Sequence, residues 1–138
     1  METIFTKIVE RKIPSHIVYE DDLVIAFLDI TQSTKGHTLV VTKSPYENIL
    51  EVPEDVLKHL FGVVQKLAKG IQHAFNPSGI NLLNNNGSTA GQTVFHYHVH
   101  IIPRYDKEEI TIKLNDTSKT IIADDYKNRA AMIIAALS

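Results

Sequence analysis

The chain contains no cysteine. That removes disulfides and thiolate-held metal sites at once, and it fits a reducing compartment. Charge of one sign is also lacking: 14 Lys and Arg stand against 16 Asp and Glu, a net charge of −2. A field that weak offers no general attraction for nucleic acid or for an anionic membrane. Nor is there a continuous apolar run near the roughly 18 residues that a bilayer-spanning helix requires. The opening METIFTKIVERKIPS scatters its charges and holds no apolar core, so it does not read as a signal peptide. Repeats and low-complexity stretches are missing too. What remains is ordinary globular material, 43% hydrophobic and 22% charged over 138 residues. It is enough for one core, read as a single domain over 1–138 and expected in the cytoplasm.

Period and punctuation outline the elements. Ile4, Phe5, Ile8 and Val9 suit a short amphipathic helix within residues 3–11, with Pro14 beyond it. HIVYE and LVIAFLD read as strands of a hairpin around Asp21 and Asp22, and HTLVVT (37–42) as a third strand. Pro53, Glu54 and Asp55 open a long helix carried by Leu57, Leu60, Val64, Leu67, Ile71 and Phe75, which Asn76-Pro77 ends. INLLN and VFHYHVHII read as two more strands. Residues 106–120 fit no element, and Asp124 and Asp125 open a terminal helix over 123–137. Together these predict an α+β fold: a five-stranded, largely antiparallel sheet, one long helix and short terminal helices.

The unusual feature is FHYHVH, residues 95–100, with three of the seven histidines at two-residue spacing. On a strand, His96, His98 and His100 leave from one face and Phe95, Tyr97 and Val99 from the other. Three uses compete: a metal cage, a catalytic row directed at phosphorus, or a polar sheet face. Same-face neighbours on one strand stand about 6.6–7 Å apart, so two rings can meet one ion while the third must reach; the row suits an elongated phosphate chain better, and a metal comes second. The preceding NNNGSTAGQT is rich in amides, hydroxyls and glycine and has no acid. By itself it is a polar hairpin loop; beside three imidazoles it suits a phosphoryl group. Asp29, at the end of an apolar strand, reads from spacing alone as a turn residue, although a carboxylate there can also accept from ribose hydroxyls. His37, His16, His59 and His73 read individually as structural.

Taken together, VYEDDLVIAFLDI, GHTLVVTK and NNNGSTAGQTVFHYHVHIIPR, in that order, resemble the histidine triad family in its bacterial, Hint-like nucleoside phosphoramidase branch. The likeness covers roughly residues 3–105, leaving 106–138 as a C-terminal extension. It implies His98 as nucleophile on the α-phosphorus, with His96 and His100 on phosphate oxygens and His37 supporting His98. It further implies a phosphate held by Asn85, Gly91 and Thr93, with Gln92 beside the leaving group. Asp29 would take the ribose, and Phe27 and Ile30 would wall a purine base. A homodimer is implied as well, in keeping with the open edges of a lone sheet. Many bacterial relatives hold a structural zinc with a Cys-x-x-Cys pair and a further histidine. Here those positions are Thr3, Thr6 and Pro45, so no zinc and no other cofactor is expected. Phosphoramidate hydrolysis, dinucleoside polyphosphate hydrolysis and nucleotide-dependent regulation with little turnover all remain open at this point.

Overall fold

A computed structural model describes residues 2–137. Five strands, β1 (Ile17–Glu20), β2 (Val24–Leu28), β3 (Thr38–Thr42), β4 (Gly79–Leu83) and β5 (His98–Arg104), form one sheet in the order β1-β2-β3-β5-β4. Every neighbouring pair is antiparallel. The helices are α1 (Ile4–Val9), α2 (Glu54–Phe75) and α3 (Ala123–Leu137). The α+β architecture expected from sequence is the one observed.

The sheet divides two apolar clusters. Period two sends Val24, Ala26, Val40, Tyr97, Val99 and Ile101 to one face, where Val56, Leu60, Val63 and Val64 of α2 cover them. Ile25, Phe27, Leu39 and Val41 go to the other face and pack on Phe5 and Ile8 of α1. Leu60 is wholly buried. Truncating such a leucine to alanine costs about 2–5 kcal/mol, so the α2 face carries much of the stability.

The helix ends follow their chemistry. The Thr3 hydroxyl accepts from the amides of Phe5 and Thr6, while the Thr6 hydroxyl donates to the Thr3 carbonyl, and together these cap α1. Arg11, at φ 63°, already turns the chain out of the helix before Pro14. Asn76 ends α2 in the left-handed region at φ 52°, its amide donating to Gln72 O. The expected strand through VFHYHVHII is shorter at its start than its alternation suggests. It begins only at His98, because the Tyr97 amide leaves the ladder and donates to Tyr46 O at 2.6 Å. Residues 106–120 form irregular chain with a short 3-10 turn at Ser118–Thr120. Among the described residues, no helix is long and apolar enough to cross a membrane.

Candidate active site

A cavity of about 550 Å3 opens on the α1 face of the sheet. Ile4, Phe5 and Ile8 of α1 wall one side, with Ile13, Phe27, Ile30 and Leu39 around them. His98, His100, Asp29, Asn85, Gly91, Gln92 and Thr93 also reach it. Residues far apart in sequence converge here because β2, β3 and β5 are adjacent and the 84–93 loop connects β4 to β5.

The partners of each imidazole assign its protons. His98 Nδ1 lies 2.7 Å from the His96 carbonyl oxygen and must therefore carry the hydrogen. Its lone pair is left on Nε2, which makes no hydrogen bond to another described residue. Phe5 packs edge-on against the ring, centroids 5.0 Å apart, and sets its plane. His100 Nδ1 lies 2.9 Å from His37 Nε2, and Asp29 Oδ2 lies 3.6 Å from that same His37 nitrogen. A lone pair on His37 Nε2 would face the carboxylate and leave a buried N–H on Nδ1, an atom with no partner. The proton thus sits on His37 Nε2 and is donated to His100 Nδ1. His100 then presents Nε2–H to the cavity as a donor.

Burial governs the ionisation of these rings. It pushes His37, His96 and His98 below the ordinary histidine value, and His100 down to about 4, with the His98 and His37 rings adding to its shift. All four are neutral at pH 7. Burial acts upward on Asp29, but the Thr31 hydroxyl and amide and the facing His37 and His100 outweigh it, leaving the carboxyl lowered and ionised.

Several expectations are corrected. His96 does not reach the cavity and cannot touch a phosphate oxygen there: it is 0% exposed, and both ring nitrogens are occupied. Nε2–H donates to Thr42 O at 2.6 Å, and Nδ1 accepts from the Thr3 hydroxyl at 2.7 Å. His37 supports His100 rather than His98. Gln92 lines the cavity, but its amide is already spent: Oε1 accepts from Gly87 N, and Nε2 donates to the Glu47 and Val94 carbonyls. It braces the loop rather than standing free beside a leaving group. The amides of Ala90, Gly91 and Gln92 are likewise bonded within the loop's own 3-10 turn. Thr93, in contrast, makes no hydrogen bond to another described residue, and it lines the cavity. Phe27 is 3% exposed and Ile30 87%, so the two wall the pocket from inside and at the rim respectively. His16, which reads from sequence as structural, and Ser15 line the same cavity. Their only sequence signal is a polar pair at the mouth of β1.

The family zinc site does not fit this chain. The Thr3 hydroxyl is bonded to His96, the Thr6 hydroxyl to the Thr3 carbonyl, and Pro45 offers no side-chain donor. Neutral hydroxyls are poor replacements for thiolates toward zinc. Asp29, His37 and His100 do place ligand atoms within 4.8 Å of one another. Two of those atoms already share a proton, so an ion would have to displace it.

The antiparallel sheet, the proton-assigned imidazole pair and the loop-lined cavity are together the arrangement of a histidine triad protein. The chain belongs to the HIT domain family, whose model matches residues 10–107. It is similar to Protein hit of Bacillus subtilis, 53% identical over 124 residues, which are 90% of this chain and 83% of that protein. The crystal structure of a HIT family protein from Bacillus anthracis superposes with a TM-score of 0.94 at 43% identity, covering 99% of this chain and 98% of that one. Adenylylsulfatase HINT3 of Arabidopsis thaliana is 36% identical over 107 residues, 78% of this chain and 54% of that protein.

Proposed function

We propose that the protein hydrolyses purine nucleoside 5′-phosphoramidates through a covalent nucleotidyl-histidine. The observation that carries this is the His98 tautomer: Nδ1–H is fixed on the His96 carbonyl, so the Nε2 lone pair is the free nucleophile. Nε2 attacks the α-phosphorus, a P–N bond to the imidazole forms, and the bond to the amine leaving group breaks. His100 Nε2–H donates to a non-bridging oxygen as its charge grows. The Thr93 hydroxyl relays a proton to the departing amine and takes one back from the water of the second step. Water then cleaves the phosphoryl-imidazole bond and regenerates neutral His98. Asp29 takes the ribose hydroxyls, Asn85 and Gly91 flank the phosphate, and Phe27 and Ile30 hold the base. No step uses zinc or another cofactor.

The kinship with an adenylylsulfatase supports the same α-phosphorus chemistry with a different leaving group. A turnover screen tests the assignment, setting adenosine and guanosine phosphoramidates against adenylylsulfate and diadenosine polyphosphates. Preference for the phosphoramidates is expected. Faster turnover of a dinucleoside polyphosphate would move the protein to that class, and tight nucleotide binding without turnover of any substrate would make it a regulator.

The working form is a cytoplasmic homodimer. β4 is an edge strand with Leu82 and Leu83 at 52% and 42% exposure, and Phe61 of α2 is also exposed. A second copy can cover such an edge through a two-fold contact.

A further inference from the structure

The C-terminal extension has a fixed root and an uncovered tip. At the root, the Arg104 guanidinium donates to the carbonyls of Asp106, Lys107 and Ile110 and to the Glu109 carboxylate. Glu109 in turn accepts from the amides of Tyr105 and Asp106. The same guanidinium donates to Asn81 of β4 at 2.7 Å. The extension is therefore anchored at the free edge of the sheet, and its direction of departure is set there.

At the tip, α3 has no buried residue. Tyr126, Ala130, Ile133 and Leu137 recur at helical spacing along one stripe, and Tyr126, Ile133 and Leu137 are 52%, 63% and 80% exposed. Even with five alanines, a helix of fifteen residues is marginal in water without a packed face. Two acids and two bases cancel along α3, which gives no electrostatic reason for an anionic membrane or nucleic acid to bind it.

The pose of α3 is nevertheless not arbitrary. Its 15 residues are more than a tenth of the 138-residue chain, so the TM-score of 0.94 to the Bacillus anthracis protein cannot be reached with α3 out of place. A superposition that takes in 99% of this chain gives α3 the same pose in both HIT family proteins. What can hold it in common is another copy of the same chain.

We propose that α3 is an exchanged arm, which lays its Tyr126–Ile133–Leu137 stripe on the folded body of a second copy docked at the β4 edge. The assignment rests on the homodimer reading and adds to it the identity of the contact. A dimer of this kind is clasped twice, once by each arm, outside whatever the sheet edges and α2 contribute.

The cysteine-free chain is labelled with benzoyl-phenylalanine in place of Ile133, and 14N- and 15N-grown protein are mixed, equilibrated and irradiated. Crosslinked peptide pairs joining light and heavy chains are expected. Amide exchange in α3 is expected to slow at least about tenfold when the protein is concentrated from monomer into dimer. A dimer by sedimentation whose crosslinks join only chains of one mass overturns the arm and leaves the dimer standing. So does a dimer with α3 exchange independent of concentration. A monomer at all concentrations overturns both.

Discussion

His98 and His96 are joined through an unusual local bond, ring Nδ1 to backbone carbonyl oxygen at 2.7 Å across two residues. The bond does for His98 what a separate carboxylate does in many catalytic imidazoles: it fixes tautomer and orientation without adding charge. His96 is itself tied to Thr42 O and to the Thr3 hydroxyl, so the residue whose carbonyl orients the His98 ring is held at both of its own ring nitrogens.

Replacing His98 by alanine deletes the proposed nucleophile but leaves Asp29, the loop and the apolar walls in place. Turnover should fall by several orders of magnitude while nucleotide affinity changes little. Acid-quenched wild-type enzyme should carry a nucleotide mass adduct on the peptide containing His98. An adduct mapped to His100 or His37 would overturn the assignment.

Thr3 links the cap of α1 to His96, so its loss acts on stability and binding together. Thr3→Val should lower stability by about 1 kcal/mol through the cap alone and raise KM, because Ile4, Phe5 and Ile8 wall the cavity. Thr3→Ser should restore both, since it keeps the hydroxyl. Elemental analysis of the wild-type protein should find no stoichiometric zinc, and chelator should leave activity intact. One zinc per chain that activity requires would refute the hydrogen-bonded arrangement.

Asp29→Asn removes the charge facing His37 and His100 while keeping the shape. Ribonucleotide affinity should fall towards that of the 2′-deoxyribonucleotide, because a neutral amide accepts less strongly from the ribose hydroxyls. The His100 value, which Asp29 raises, should move lower still. Titration of the His100 ring by NMR checks the second effect independently of binding.

Acid should destabilise the protein well before its carboxylates protonate. The four site imidazoles are all depressed in the folded state, so below the ordinary value near 6.5 the unfolded chain binds protons that the folded chain refuses. Their contribution to stability is present above that value and is lost as the pH falls toward the folded values, about 4 for His100. The melting temperature should drop between pH 7 and pH 5, and less steeply in His100→Asn. Turnover should hold through neutrality and fall on the acid side below the usual histidine range, as His98 takes a proton.

The fold was legible wherever period and punctuation agreed. α2 announced itself with six apolar positions between Pro53 and Asn76, and each strand of the sheet lies within or close to its apolar run. Alternation in FHYHVH correctly separated His98 and His100 from Tyr97 and Val99, yet it hid the retirement of His96. A period records which face a side chain takes but not whether that face opens on a cavity or on Thr3, 93 residues away. The roles of His37 and Gln92 were misplaced for the same reason, since their partners are set by packing of β3 on β5 and of the loop on residue 47. His16 gave no sign, because a lone polar residue beside a strand has the same pattern in or out of a pocket.

The sheet also acts as an insulating wall. Its α2 face holds most of the large buried aliphatics, and its α1 face holds the imidazoles that line the cavity, with β2, β3 and β5 one layer thick between them. Sites on opposite faces share few partners, so their free energies combine close to additively. A truncation beneath α2 and a substitution at His100 should therefore change stability by amounts that nearly sum in the double variant.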